Sequence, residues 1–276
     1  MSDEAGRAFV PGHVTGFFSI HEADDSERAG SRGAGVTLSE GVTVTVEPSE
    51  ETSIALNGES SVESGRRVLD VLGVTARVTA ETDLPLGAGF GVSGALALGT
   101  ALAANERFDC GRSENELVTV AHVAEVEAGT GLGDVVAQAR GGIPIRLEPG
   151  APEYNRLDGV PKRARIEYRS LGELSTAEVL SGSTERISQA GVEALVALVN
   201  EPTLETFMSE SRRFAERTGL LTDEVSDVIE DVHDVGGRAS MAMLGRTVFA
   251  LDGGLSNAGY DANACRSHHA GATLLD

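Results

Sequence analysis

The stretch Pro85-Leu86-Gly87-Ala88-Gly89-Phe90-Gly91-Val92-Ser93-Gly94-Ala95 constrains this chain more than any other segment. Four glycines fall between Gly87 and Gly94, and Ala95-Leu96-Ala97-Leu98 then opens an apolar helix that runs to about Asn105. Glycines let backbone approach a ligand closely, and the helix behind them aims its free N–H groups and positive dipole end at the loop. Such a site receives phosphate without any lysine, and the Ser93 hydroxyl is placed to meet Mg²⁺ or phosphate. The plainer alternative is a turn with Ser93 as an ordinary N-cap. Gly89-x-Gly91-x-x-Gly94 also matches the dinucleotide fingerprint, which wants a strand ending in an acidic residue about 20 positions further on. Residues 95–127 read instead as two helices, and Pro85 separates the loop from the strand before it. The dinucleotide reading is disfavoured.

Composition narrows the chemistry. The chain has 276 residues, 43 acidic against 22 basic, for a net charge of −21, and a single one of the basic residues is lysine, Lys162. Gly-x-x-x-x-Gly-Lys-Ser/Thr is absent, so phosphate is not held by a P-loop. Lys162 stands in the cationic run Pro161-Lys162-Arg163-Ala164-Arg165, a poor place for a Schiff base and a good one for a solvated turn. Aromatics are 4% with no Trp, and an acidic surface repels phosphodiester, so no nucleic-acid partner is expected. The N-terminus Met1-Ser2-Asp3-Glu4 lacks an apolar core segment and no apolar run of ~18 residues exists. A cytoplasmic protein without a membrane partner is expected. Cys110 and Cys265 are far apart in no metal-type spacing, which suggests reduced thiols. Acid excess with almost no lysine resembles proteins that work in molar salt, where the Debye length falls to ~3 Å.

Along the chain, residues 5–20 read as a strand ending in a turn at Pro11-Gly12, and 21–33 as a polar loop. Val36–Leu38 and Val42–Val46 alternate around Gly41 as a hairpin. Ser61–Leu72 is helical and Val74–Thr82 a strand. Ser113 starts a helix with Glu116 in the capping-box position. Gly129–Gly133 breaks it, and Gly141-Gly142 precedes a strand over 143–147. Glu148–Pro161, rich in Pro, Gly and charge, marks a boundary between lobes 1–150 and 151–276. Beyond it come a strand near 166–168, helices near 184–199, 203–217 and 222–234, a strand at 247–251, a helix at 257–266 and a strand at 272–275. The mixture lacks a regular βαβ rhythm, so the class is α+β in two lobes.

Pro85–Ala95 resembles the central motif of the GHMP kinases, with Phe90 and Val92 as departures, and Pro11-Gly12-His13 resembles their first motif with His13 in place of lysine. Together with Pro11–Phe18, Gly131-Leu132-Gly133-Asp134 and Ala239–Gly245, these blocks are similar to the archaeal pantoate kinases within that family. The 239–245 block is not glycine-rich as the family's third motif is. The resemblance implies an N-terminal lobe like ribosomal protein S5 domain 2, a ferredoxin-like C-terminal lobe, and ATP between them on Pro85, Gly87, Gly89, Gly91, Ser93 and Gly94. It also implies phosphorylation of the 4-hydroxyl of (R)-pantoate for coenzyme A synthesis. Other acceptors in the family (homoserine, shikimate, mevalonate) and a non-catalytic metabolite sensor are the alternatives, and a homodimer is common in such kinases.

Phosphoryl transfer needs a metal to spread charge, an aligned hydroxyl and often a carboxylate to take its proton. Asp134, seven residues before Gly141, has the family's spacing for a general base; the plainer role is a helix cap after a glycine turn. A second carboxylate would join Ser93 at Mg²⁺. Glu125 and Glu127 are about 200° apart around a helix and cannot share a face, and Glu125 is chosen. A carboxylate substrate in so acidic a protein needs a cation, and Arg146, just past the Gly-Gly pair, offers a bidentate fork. Ser19, His13 and His21 are candidates for the substrate hydroxyls, Ser19 ahead of the two histidines.

Overall fold

The computed structural model describes residues 5–60, 63–172, 184–243 and 245–276. Its first sheet is organised by one long hairpin. Strand β1 (Gly6–His21) and strand β2 (Gly30–Pro48) pair antiparallel from Gly6↔Val46 to His21↔Gly30. The turn expected at Pro11-Gly12 and the hairpin expected around Gly41 are therefore both absent: these residues are interior to the two strands. The register gives the reason, since Pro11 stands opposite Gly41. Proline has no N–H for the ladder, and the pairing shifts between Pro11 and His13. Glycine gives the irregularity room, because a Cβ on Gly41 would lie 2.8 Å from the Pro11 Cα. The polar loop expected over 21–33 shrinks to residues 22–29.

β5 (Ala76–Glu81) extends the sheet beside β2, with β3 (Ser53–Leu56) parallel to β5 and β4 (Glu59–Ser60) beyond it. β6 (Pro144–Glu148) also pairs with β2, at Gly33↔Arg146, and forms a hairpin with β7 (Arg156–Gly159). Across this sheet lies helix α2 (Val92–Phe108), packed on β1 and β2 and flanked by α1 (Glu63–Leu72) and α3 (Glu114–Ala128). Its Ala-rich sequence is apolar on every side, as a helix enclosed on all sides must be. Leu96 and Leu98 are both fully buried, worth ~1.5–3 kcal/mol each. α3 begins as its sequence indicates: Ser113 Oγ accepts from the Glu116 N–H, and Glu116 accepts from the Ser113 N–H at 2.9 Å. Residues 61–62, at the start of the expected first helix, lie outside the described residues.

The second sheet has the order β11 (Asn263–Arg266), β8 (Arg165–Ser170), β10 (Thr247–Leu251), β9 (Ala239–Ala242), antiparallel throughout. Helices α5 (Thr184–Asn200) and α6 (Leu204–Thr218) pack on β1, while α7 (Asp223–Asp234) packs on β9 and β10. The rings of Phe17 and Phe207 and of Phe18 and Phe214 meet where the two sheets' layers join. The helix expected at 257–266 is not there. A short helix, α8 (Gly254–Asn257), stops before Gly259, whose φ is 88°, and 263–266 pairs as β11 along β8, with Cys265 opposite Ile166. The free edge of β8 decides these residues against their local preference. β7 and β12 (Thr273–Leu274) hydrogen-bond into the first sheet although both follow residue 150; a lobe division near that residue is our proposal for the chain's organisation. Among the described residues no helix is long and apolar enough to cross a membrane.

Candidate active site

The glycine loop runs from half-buried Pro85 through exposed Gly87 to half-buried Gly89, Gly91 and Ser93, so its backbone faces solvent over a buried floor. Gly91 is the N-cap of α2 at φ 62°, ψ 31°, without a side-chain cap. Ser93 is therefore not the cap but the second helical residue, and its hydroxyl is free for another partner. Val92, Ser93 and Gly94 occupy the first turn, where N–H groups have no intrahelical acceptor. Phe90 anchors the loop from beneath. Its carbonyl accepts from the His13 N–H at 2.9 Å, and its ring meets Tyr168 edge-on at 4.8 Å. Tyr168 in turn donates its hydroxyl to Glu40 Oε2 at 2.5 Å. On the other side the 239–245 block comes close: a Cβ on Gly89 would stand 2.9 Å from the Met243 carbonyl oxygen. Leu244 of that block lies outside the described residues.

Ser93 donates to Glu125 Oε2 at 2.8 Å. Glu125, on the inner face of α3, is 2% exposed and its Oε1 has no hydrogen-bond partner among the described residues. Burial raises its carboxyl above the ordinary value, and the Ser93 hydroxyl only partly opposes this. Glu127 projects outward and pairs with Arg67 at 3.0 Å. The two carboxylates thus point to opposite environments, and Glu125 alone reaches the glycine loop. One turn earlier on α3, His122 Nε2 stands 2.9 Å from the Ala29 carbonyl oxygen and fastens the end of the 22–29 loop.

Asp134 is the first residue of α4 (Asp134–Arg140). His13, on β1, places Nδ1 2.6 Å from Asp134 Oδ1; the imidazole is fully buried, whereas the aspartate side chain is 20% exposed. The Nε2 edge of the ring lies against Gly35, where a Cβ would come within 2.2 Å of Nε2. His13, a candidate for the substrate hydroxyls, has no exposed surface in this structure and meets Asp134. Burial pushes the imidazole below its ordinary pKa against the pull of Asp134, so it is neutral at pH 7 and donates its Nδ1 proton. Burial also opposes ionisation of Asp134. The hydrogen bond from His13, the charge of Arg146 and the Thr15 hydroxyl outweigh it and hold the carboxyl below the ordinary value.

Arg146, on β6, is 2% exposed, far from the open strand position an arginine there could have taken. Its Nε and Nη1 have no hydrogen-bond partner among the described residues. It lies against Gly133, the residue before Asp134, where a Cβ would stand 2.8 Å from Nε. Burial lowers the guanidinium's pKa and Asp134 raises it; arginine starts so high that it stays charged. Ser19 is buried on β1 opposite Arg32, one rung along from the Phe18↔Gly33↔Arg146 row. His21 is exposed at the end of β1 and is not brought to the site. Thr15 and Gln138 border Asp134 and Gly91 without any sequence signal to announce them, because both act through residues distant in the chain.

This two-sheet fold, with a glycine loop opening a buried helix and an aspartate beside it, is that of the GHMP kinases, and residues 61–142 match the family described as GHMP kinases N terminal domain. Over 263 residues the chain is 38% identical to the pantoate kinase of Thermococcus kodakarensis, covering 89% of this chain and 87% of that one. The chain belongs to the pantoate kinase family. A solved structure described as a phosphotransferase related to the CoA biosynthesis pathway superposes with a TM-score of 0.88 at 33% identity, covering 98% of each chain. A homoserine kinase from Cytophaga hutchinsonii shares the fold, with a TM-score of 0.70 at 18% identity over 100% of this chain and 98% of the other.

Proposed function

We propose that the protein transfers the terminal phosphoryl group of ATP to the 4-hydroxyl of (R)-pantoate, giving (R)-4-phosphopantoate on the route to coenzyme A. The observation that carries this reading is the buried guanidinium of Arg146, with two nitrogens unpartnered, next to the ionised Asp134. A guanidinium is the usual fork for a carboxylate, and a proton-accepting carboxylate beside it suits a substrate with an acid and a hydroxyl in one small molecule. ATP's phosphates are received by the first-turn N–H groups of α2 and the backbone from Pro85 to Gly94. The hard oxygens of Ser93 and Glu125 suit Mg²⁺, which takes one or two carboxylates plus substrate phosphates, and the two side chains meet at 2.8 Å beside the glycine loop. When bound, the ion would neutralise charge on the phosphates.

Asp134 takes the proton of the attacking hydroxyl. The Nδ1–H of His13 occupies Oδ1 and so turns Oδ2 to the substrate. Ser19, close to the Arg146 row, holds the acid's remaining polar groups. We assign the reaction, which consumes ATP, to the cytoplasm. A coupled assay for ADP release across pantoate, homoserine, shikimate and mevalonate tests the reading. Turnover with pantoate far above the other acids is expected; ATP and pantoate binding without ADP release would make the chain a sensor, and preference for another acid would reassign the acceptor.

We also read the net charge of −21 as a salt adaptation. Repulsion among crowded carboxylates reaches ~10 Å in dilute buffer and acts on a fold whose net stability is ~5–15 kcal/mol. Salt also weakens exposed pairs such as Arg67–Glu63 and Arg112–Glu116, but solvent already screens such pairs and they contribute little. The repulsion term dominates, so the melting temperature and the initial rate should both climb from dilute buffer to about 1 M KCl. A flat or falling melting curve across a KCl series would show that the acidic surface serves another purpose.

A further inference from the structure

Gln138 is fully buried, one helical turn after Asp134 on the same face of α4. Its Nε2 donates to the Gly91 carbonyl oxygen at 2.9 Å. That oxygen also accepts the first intrahelical bond of α2, from the Ala95 N–H at 3.0 Å. The Oε1 of Gln138 has no partner among the described residues and faces Gly94, where a Cβ would come within 3.1 Å. A Cβ on Gly91 would likewise crowd Gln138 Nε2 at 3.1 Å and Asp134 at 3.2 Å. The Asp134–Gln138 face of α4 therefore lies directly on the start of α2, with nothing between.

A buried glutamine is a costly packing residue: it loses several rotamers, and here one of its polar atoms is left unsatisfied. An apolar side chain of the same length would fill the space without that penalty. What the carboxamide adds is a hold on the carbonyl that sets the direction of the first turn of α2, whose N–H groups face the glycine loop. Asp134, four residues earlier on the same helix, moves with it. We propose that Gln138 is a positioning residue that fixes the general base and the phosphate-binding turn in one geometry. The proposal rests on the kinase reading above and deepens it. Reacting groups must be aligned within a fraction of an ångström, and a misplacement of 1 Å costs about 10²-fold.

Gln138→Met keeps the length and bulk of the side chain and removes the donor; Gln138→Glu keeps its shape and replaces the donor by a carboxylate facing the Gly91 carbonyl. For the Met variant the ADP dissociation constant should rise about tenfold, as for loss of one hydrogen bond in a buried site, and kcat should fall about tenfold or more. The KM for pantoate should stay within about threefold, since Arg146 and Ser19 lie on other strands. The Glu variant should lose at least as much nucleotide affinity. A merely structural glutamine predicts a lower melting temperature with unchanged constants in the folded fraction, and that result, or all three constants within about twofold of wild type, overturns the proposal. Should the Met variant fail to fold, ADP affinity of the Glu variant decides between the same outcomes. ADP binding is measured without an acceptor, so absence of turnover in the wild-type protein would sink the kinase reading while leaving this measurement intact.

Discussion

Asp134→Asn is expected to lower kcat by ~10²–10⁴-fold, the usual worth of a positioned base, and to leave ADP affinity within about threefold of wild type. The amide is the size of the carboxylate, and its carbonyl oxygen still accepts the proton of His13 Nδ1 at the position now occupied by Oδ1. The other arm changes polarity: an NH₂ stands where Oδ2 had been, and it presents hydrogens to a hydroxyl that needs to lose one. Packing on Gly91 and Gly94 is retained, so the phosphate loop keeps its shape. Single-turnover rates and ADP titrations on the same preparation separate the two effects. A variant that turns over within about threefold of wild type would remove Asp134 from the chemistry and leave it as the helix start that its position also suits.

Arg146→Ala should act on the acid rather than on the nucleotide. Removing one partner of a buried charged contact costs roughly 2–5 kcal/mol, a factor of about 30 or more in the KM for pantoate, while the KM for ATP should change little. Two further consequences follow from the burial of this side chain. Asp134 loses the nearby charge that helps to hold its carboxyl low, so its pKa should drift upward. The space left beside Gly133 also weakens the fold, so melting curves belong with the kinetics. Arg146→Lys should restore part of the pantoate affinity, since it returns the charge without the fork. Equal increases in both KM values would instead mark the arginine as a strut between β6 and α4.

The parts of the site that a reader of the sequence finds are those written in contiguous residues. The glycine loop, the capping box at Ser113 and Glu116, and Asp134 after its glycines all carry local patterns, and the structure displays the loop and the cap where those patterns fall. What escaped is long-range. His13 and Asp134 are 121 residues apart, and nothing near either one announces the other. Pro11 and Gly41 each resemble the end of a strand when read alone; only their pairing across β1 and β2 shows that two breakers at one rung make a bulge. The 263–266 segment took strand form because β8 offered an unpaired edge, a fact located a hundred residues upstream. Local pattern reports what a segment prefers, and tertiary contact decides where preferences are weak or opposed.

β1 carries His13 and Thr15 and stands between β2 and β12. Its outer edge is closed at Ala8↔Leu274 and Phe9↔Thr273, and the Leu275 N–H donates to the Arg7 carbonyl oxygen at 2.9 Å. That edge is therefore closed by a segment far along the chain from the strand it covers. Until residues 273–275 pair with it, the Arg7–Phe9 stretch of β1 presents open N–H and C=O groups, the kind of edge on which unfolded chains stick to one another. A pairing so distant in sequence is slow to find by diffusion, and the closing of this end of β1 waits on it.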